Sequence, residues 1–282
     1  MVRVCKRIYL IALLCCAVIS LSVSAAIKPA LWQVEHQNKL SYIFGSIHVG
    51  EASWYPLSAL VKQAYNDSHS LVVELDMDSH ISKVQQAMVL ASGGNLEQEL
   101  SPATFKRLTQ YLNDNNIPLS SITPLKTWAV ANTLAILPFL KLGLSPQYGV
   151  DAHFLALAKQ TNKPIIELET IDFQLKLLIS LFDNEQALID VMDTPETEVI
   201  ALIDSWKTGQ LDSIEHLLSE QMTPQQYQIM LVNRNNDWTK QLTERLKTQG
   251  GLFMVVGAAH LVGSDGLPAK LKQQGFKVIR IQ

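Results

Sequence analysis

Apolar and polar residues alternate in two neighbouring segments, residues 31–36 and 40–44. A period of two is typical of strands with one buried face, and Asn38 between the segments indicates a hairpin turn. Further strands are predicted at four short apolar runs, residues 71–75, 164–169, 252–256 and 277–281. The sheet is therefore expected to take strands from both ends of the chain.

Longer segments with apolar residues three or four positions apart predict helices. They cover residues 57–67, 81–90, 103–115, 125–140 and 150–161, then a series over 171–219 and a long helix over 224–248. Helix starts are also indicated where proline follows Ser or Thr, at Pro102, Pro195 and Pro224. This pattern predicts an α/β or α+β fold, with a small central mixed sheet covered by a large helical insertion or cap.

The first 26 residues have the pattern of an export signal. The cations Arg3, Lys6 and Arg7 precede an apolar run at 8–23, and small residues follow. We therefore expect a signal peptide at 1–26, export to the periplasm and one domain at 27–282, with its helical cap at approximately 79–147 and 171–248. Extracellular release or an uncleaved anchor is less favoured, because a spanning helix needs about 20 apolar residues. No stable membrane span is expected after cleavage.

Charge and cysteine content narrow the possible chemistry. The chain has 23 Lys plus Arg against 26 Asp plus Glu, so it has no basic footprint for nucleic acid. Cys5, Cys15 and Cys16 all lie in the predicted signal. The exported chain would therefore have no disulfide, thiolate ligand or cysteine nucleophile. We expect a peptide or small-molecule substrate, acted on by His, carboxylate or hydroxyl groups.

One short pattern occurs twice: an apolar strand, Gly, two small or apolar residues, then His. It is YIFGSIHVG at 42–50 and MVVGAAHLVG at 254–263. Residues just past the carboxyl end of a strand form the ligand crevice of α/β sheets, and Gly there permits close approach. His48 and His260 are therefore expected to face one cleft. The remaining histidines are interpreted as structural, namely His36, His69, His80, His153 and His216.

Glu74 is the third candidate, because a carboxylate within the apolar strand 71–75 needs a cation, a donor or a metal. Two His and one Glu with an open position suit a catalytic divalent ion such as zinc, manganese or cobalt. Such an ion would make hydroxide available at neutral pH. The H-E-x-x-H, G-x-S-x-G and G-x-x-x-x-G-K-[ST] patterns are absent from the sequence.

The order of motifs resembles the TraB/GumN family over about residues 32–281. The motifs are GSIH at 45–48, ELD at 74–76, GVD at 149–151, LET at 168–170, RN at 234–235 and GAAHLVG at 257–263. That family includes the animal TIKI metal-dependent peptidases, within a wider fold group of erythromycin esterases and haem-binding ChaN-like lipoproteins. The resemblance implies His48, Glu74 and His260 at the centre, with Glu169 and Arg234 orienting ligands or substrate.

The resulting hypothesis is an exported metal-dependent hydrolase, a peptidase, whose ion is held by His48, Glu74 and His260. Glu169 is the candidate general base, although its role and that of Glu74 could be exchanged, and Arg234 would stabilise negative charge on the substrate. One alternative is a metal-independent, esterase-like hydrolase with a His base. Another is a non-catalytic protein that binds haem or another ligand.

Several residues also allow a purely structural interpretation. Arg234 could be an exposed helix cation, and Asp151 could be only a helix cap. The tryptophans of the helical segments are interpreted as core residues, namely Trp128, Trp206 and Trp238.

Overall fold

Six strands form one mixed sheet in the computed structural model, which describes residues 27–282. They are β1 (Leu31–His36), β2 (Lys39–Ser46), β3 (Ser70–Val73), β4 (Ile165–Glu167), β5 (Leu252–Gly257) and β6 (Lys277–Arg280). The strand order is β4-β3-β5-β2-β1-β6. The predicted α/β class, the six strands and their origin from both chain ends are confirmed.

Four adjacent strands, β4, β3, β5 and β2, are parallel, whereas β1 pairs antiparallel with β2 and β6. The β1–β2 hairpin turns through Gln37 and Asn38, both with positive φ, as a two-residue hairpin turn requires. The central strand β5 lies between β3 and β2 and is buried from Leu252 to Val256. Such burial on both faces explains its unbroken apolar sequence.

Fourteen α-helices surround the sheet in the described residues. They are α1 (Ala59–Asn66), α2 (Ile81–Met88), α3 (Leu96–Glu99), α4 (Pro102–Asp114), α5 (Thr127–Ala135), α6 (Leu137–Lys141), α7 (Val150–Thr161), α8 (Ile171–Phe182), α9 (Glu185–Asp193), α10 (Glu196–Thr208), α11 (Leu211–Gln221), α12 (Pro224–Tyr227), α13 (Asn233–Thr248) and α14 (Leu267–Gln273). A π-helical turn, Gln228–Val232, joins α12 to α13. The predicted long helix over 224–248 therefore contains a local change of helical period.

In two of the three helix starts predicted from proline, the Ser or Thr before the proline caps the helix. Ser101 caps α4 by accepting from the Thr104 N–H, and Thr223 forms a capping box with Gln226. At α10 the expectation differs from the structure, since Pro195 itself is the N-cap and no side chain caps the helix. The predicted helix over 125–140 is two helices, because a helix beginning at Leu137 accommodates Pro138 near its start, where no N–H is needed.

The hydrophobic core has three parts. The largest surrounds the sheet, and a second lies among α3, α4, α5 and α9 around Leu96, Leu108 and Leu188. A third, smaller cluster surrounds Trp128. The predicted signal peptide lies outside the described residues. Within residues 27–282, no helix combines the length and hydropathy needed to cross a membrane.

Candidate functional site

Strand register brings the predicted residues to one edge of the sheet. Ser46 lies opposite Gly257 in the parallel β2–β5 pair, and Val73 lies opposite Val255 in the β3–β5 pair. The first His follows β2 by two residues, the second follows β5 by three, and Glu74 directly follows β3. The carboxyl ends of adjacent parallel strands meet at one edge, so the two motif copies become neighbours although about 200 residues separate them.

A cavity of about 230 Å³ opens at this edge. His48, Glu74, Arg234 and His260 line it together with a set of apolar side chains. Glu169 is not among the lining residues. Four of the five predicted site residues thus share one cavity, and Glu169 reaches it only through its contacts with Arg234.

Arg234 is the buried centre of an ionic cluster, with 6% of its side chain exposed. Its Nε donates to Glu169 Oε1 at 2.7 Å, and its Nη2 donates to Glu169 Oε2 at 3.0 Å and to Glu74 Oε2 at 2.5 Å. The Nη1 group donates to the Met230 carbonyl in the π-helical turn. The interpretation of Arg234 as an exposed helix cation is wrong. A buried guanidinium between two carboxylates is a paired charge, as burial requires.

Both carboxylate oxygens of Glu169 are occupied by donors. Besides Arg234, the Trp238 Nε1–H donates to Oε1 at 2.9 Å and the Gln174 amide donates to Oε2 at 3.1 Å. The Glu169 side chain is 4% exposed. These contacts favour a role in positioning Arg234 over the role of general base, because a base must reach the proton that it removes.

His260 is held in one tautomer by Asn235. The Asn235 Nδ2 group donates to the carbonyls of His260 and Asp265, so Oδ1 is the acceptor that faces the ring at 2.8 Å. Nδ1 of His260 therefore carries the proton, and Nε2 accepts from Arg234 Nη1 at 3.0 Å. Burial, joined by the Arg234 charge, lowers the pKa of His260 to about 3, so the ring is neutral at pH 7.

His48 lies in a different setting, with 72% of its side chain exposed at the mouth of the cavity. Its Nδ1–H donates to Asp151 Oδ2 at 2.9 Å, and Ser46 Oγ donates to Asp151 Oδ1 at 2.7 Å. The negative charge of Asp151 raises the pKa of His48 to about 9. Asp151 thereby fixes the ring and leaves Nε2 to face another partner.

Glu74 lies close to His260 in the cavity that His48 also lines. Its Oε1 accepts from the Gly257 N–H at 2.8 Å and is 3.9 Å from His260 Nε2. Burial alone would raise the pKa of this carboxyl group, but the positive charges of Arg234 and His48 and the backbone hydrogen bond from Gly257 hold it well below its usual value. Glu74 is therefore a carboxylate at neutral pH.

Sequence reasoning missed the residues that orient the two rings. Asp151 lies in the first turn of α7, where it was interpreted as a cap, and the amide of Asn235 was not singled out from its polar neighbours. Trp206 and Trp238 are buried as expected, yet Trp206 also lines the cavity and Trp238 packs on the His260 ring at 4.3 Å. The G-V-D and R-N motifs were the available signals for Asp151 and Asn235.

The donor types at this edge suit a divalent ion. Metal-binding His usually donates its second ring nitrogen to an oxygen acceptor, as His48 does to Asp151 and His260 to Asn235. Their spacing in the structure is looser: within residues 27–282, no three His, Asp or Glu side chains are close enough to hold an ion together. Arg234 instead hydrogen bonds to His260 Nε2 and Glu74.

The sheet, the paired G-x-x-H loops and the buried arginine define a mixed α/β protein with a site at the carboxyl ends of its parallel strands. The chain matches the TraB/PrgY/gumN family over residues 30–280, and it belongs to that family. It is 28% identical over 239 residues to the uncharacterized protein YbaP of Shigella flexneri and of Escherichia coli K12, across 83% of this chain and 89% of YbaP.

A more distant similarity connects the chain to an enzyme. It is 22% identical over 307 residues to the metalloprotease TIKI1 of Danio rerio, a match that covers 88% of this chain and 62% of TIKI1. No solved structure matches the chain.

Proposed function

We propose that this protein is a metal-dependent hydrolase that acts on peptide bonds. The observation that carries the proposal is the pair of G-x-x-H imidazoles at one sheet edge, each with Nδ1 held by an oxygen acceptor, beside the ionised Glu74. Membership of the TraB/PrgY/gumN family and the similarity to a metalloprotease support the same class of reaction.

In this proposal His48, Glu74 and His260 hold the ion through Nε2 atoms and a carboxylate. A bound zinc, manganese or cobalt ion would lower the pKa of a water molecule to about 7 and so supply hydroxide. The two hydrogen bonds of Arg234 to Glu169 do not involve Nη1, so the guanidinium would stay at the cavity if an ion displaced Nη1 from His260. There it would donate to the oxygen that becomes negative as the substrate carbonyl is attacked.

The first test is to measure metal content and hydrolysis together. Purified protein is analysed for bound metal and assayed on quenched-fluorescence peptides before chelation, after chelation and after addition of manganese, cobalt or zinc. We expect hydrolysis to be lost on chelation and restored by one of the ions. The His48→Ala and His260→Ala variants should lose both bound metal and activity, whereas His216→Ala, at an exposed position on α11, should keep both.

A second candidate function is a metal-independent hydrolase in which a histidine acts as base on water. The looser spacing of the donors within residues 27–282 favours this candidate. It predicts full activity after metal stripping. Chelator-insensitive hydrolysis that still requires His260 would establish it and contradict the metal-dependent proposal.

The place of action is also proposed to be the periplasm. The charged, apolar and small-residue pattern of residues 1–26 supports export. Cell fractionation and amino-terminal sequencing test this proposal. A mature protein that begins near residue 27 in the periplasmic fraction is expected, and an intact cytoplasmic protein would contradict it.

A further inference from the structure

The cavity beside the candidate site has two chemically different sides. One side carries the polar groups His48, Glu74, Arg234 and His260. The other side, which we call the apolar wall, comes from α10, α11 with the residue that follows it, and the π-helical turn. Its residues are Leu202, Trp206, Ile214, Leu218, Met222, Met230 and Leu231.

Part of the apolar wall stays accessible to solvent. Trp206, Ile214 and Leu231 are buried, whereas Leu202 and Leu218 are only partly buried and face the open cavity. The wall contains no charged side chain. A charged substrate group placed against it would lose its hydration without gaining a partner, whereas an apolar group would bury surface on both molecules.

The size of the cavity limits what can occupy it. Its volume is about 230 Å³, and an apolar cavity of roughly 150 Å³ is sufficient to bind benzene. The cavity therefore has room for a branched aliphatic or single-ring side chain beside the group that reacts. Leu202 and Leu218 also line a second cavity of about 200 Å³, so the apolar surface continues away from the site.

We propose that the apolar wall is a specificity pocket for a bulky apolar side chain next to the scissile bond, with leucine, methionine or phenylalanine preferred over small, acidic or basic residues. This inference rests on the proposed peptide hydrolysis and deepens it. When the carbonyl to be attacked lies beside Arg234, the adjoining side chain can extend across the cavity toward α10 and α11.

The test uses blocked hexapeptides that differ only in the residue beside a central bond. We expect kcat/KM for leucine to exceed that for alanine, aspartate and lysine by about tenfold or more, since even one methylene in an apolar pocket is worth roughly that factor. Leu202→Ala and Leu218→Ala should reduce the leucine-over-alanine ratio by about tenfold. Ile200→Ala, an exposed position on the same helix α10, should leave the ratio unchanged.

A binding measurement separates failure of the pocket from failure of the proposed function. The same peptides are titrated into the Glu74→Gln variant while fluorescence of Trp206 and the other tryptophans is followed, with and without Leu202→Ala. If kcat/KM is equal across the peptides, or if neither wall variant changes the preference for leucine, the proposed specificity pocket is contradicted. The proposed hydrolysis is unaffected by either result. If no peptide is hydrolysed, the proposed function fails. Tighter binding of the leucine peptide, weakened by Leu202→Ala, then still supports the pocket, and equal or absent binding overturns it.

Discussion

The two G-x-x-H loops share a sequence pattern and differ in almost every contact. His48 is exposed and donates to a carboxylate, so its pKa is raised, whereas His260 is buried beside an arginine, so its pKa is lowered. The motif thus determines where each imidazole lies, through the end of a parallel strand. The neighbouring helices α7 and α13 determine what each imidazole can do, through Asp151 and through Asn235 with Arg234.

The largest loss of stability is expected from a substitution of Arg234, in the buried ionic cluster beside His260. Arg234→Met would leave Glu74 and Glu169 without their cation, and removing one partner of a buried ion pair costs about 3–5 kcal/mol. Urea unfolding of the purified variant measures this loss. Lys240→Met, on the exposed face of the same helix, is the matched control and should lose less than about 1 kcal/mol. Equal free energies of unfolding for the two variants would show that the ionic cluster around Arg234 does not stabilise the fold.

Alanine substitutions at glycines of the two loops should also differ in their effect on stability. A Cβ at Gly50 would lie 2.2 Å from the Tyr148 carbonyl oxygen, whereas a Cβ at Gly257 would lie 3.3 Å from Glu74 Oε1. Gly50→Ala is therefore expected to destabilise the protein by roughly 1–3 kcal/mol, and Gly257→Ala by less, because a side chain yields more readily than backbone. Denaturant midpoints of the two variants measure the two losses of stability. A larger loss for Gly257→Ala than for Gly50→Ala would contradict the prediction.

In the metal-free protein, the two histidines should contribute to stability with opposite dependence on pH. His48, with a pKa of about 9, contributes stability that is complete below pH 6.5 and lost as the pH rises toward 9. His260, with a pKa of about 3, stays neutral in the folded state while the unfolded chain takes up a proton, so stability falls as the pH drops from 6.5 toward 3.

Imidazole NMR signals of chelator-treated protein test this contrast directly. Asp151→Asn should return the pKa of His48 toward 6.5 and leave His260 untitrated between pH 5 and 8, because only His48 contacts that carboxylate. The outcome that contradicts the comparison is a pair of histidines that both titrate near pH 6.5 in the unsubstituted protein.

The smallest effect is expected from Ser46→Ala. This substitution removes one hydrogen bond to Asp151 while the bond from His48 remains, so it should cost about 0.5–1.5 kcal/mol. Thermal unfolding of Ser46→Ala beside Ser213→Ala, at a partly exposed position on α11, measures the difference. A loss as large as that of Arg234→Met would mean that the contacts of Asp151 with Ser46 and His48 stabilise the fold as much as the ionic cluster around Arg234 does.

The strands could be predicted from the sequence because the pattern of apolar residues in a strand involves only neighbouring positions in the chain. The alternation in β1 and β2 and the unbroken apolar run of β5 each indicate a strand without knowledge of its partners. The carboxyl-end rule then places His48, Glu74 and His260 at one edge, since it depends only on the strands being parallel neighbours.

The partners of the two rings could not be predicted for physical reasons. An acid in the first turn of α7 is favoured by the helix dipole whether or not it also binds an imidazole, so its helical position alone does not reveal that Asp151 contacts His48. The π-helical turn Gln228–Val232 inserts a residue into the helical period, so a regular helix over residues 224–248 does not predict which face carries Arg234 and Asn235. Their burial is visible only once α13 packs on the sheet.

The central position of β5 has a consequence for the newly made polypeptide. This strand bridges the β3–β4 pair to the β1–β2 hairpin, yet it begins only at Leu252 of 282 residues. A nascent chain that has not yet extended past this point lacks both His260 and the strand that joins the two halves of the sheet. The candidate site therefore cannot be complete until the chain has been made through β5 and His260.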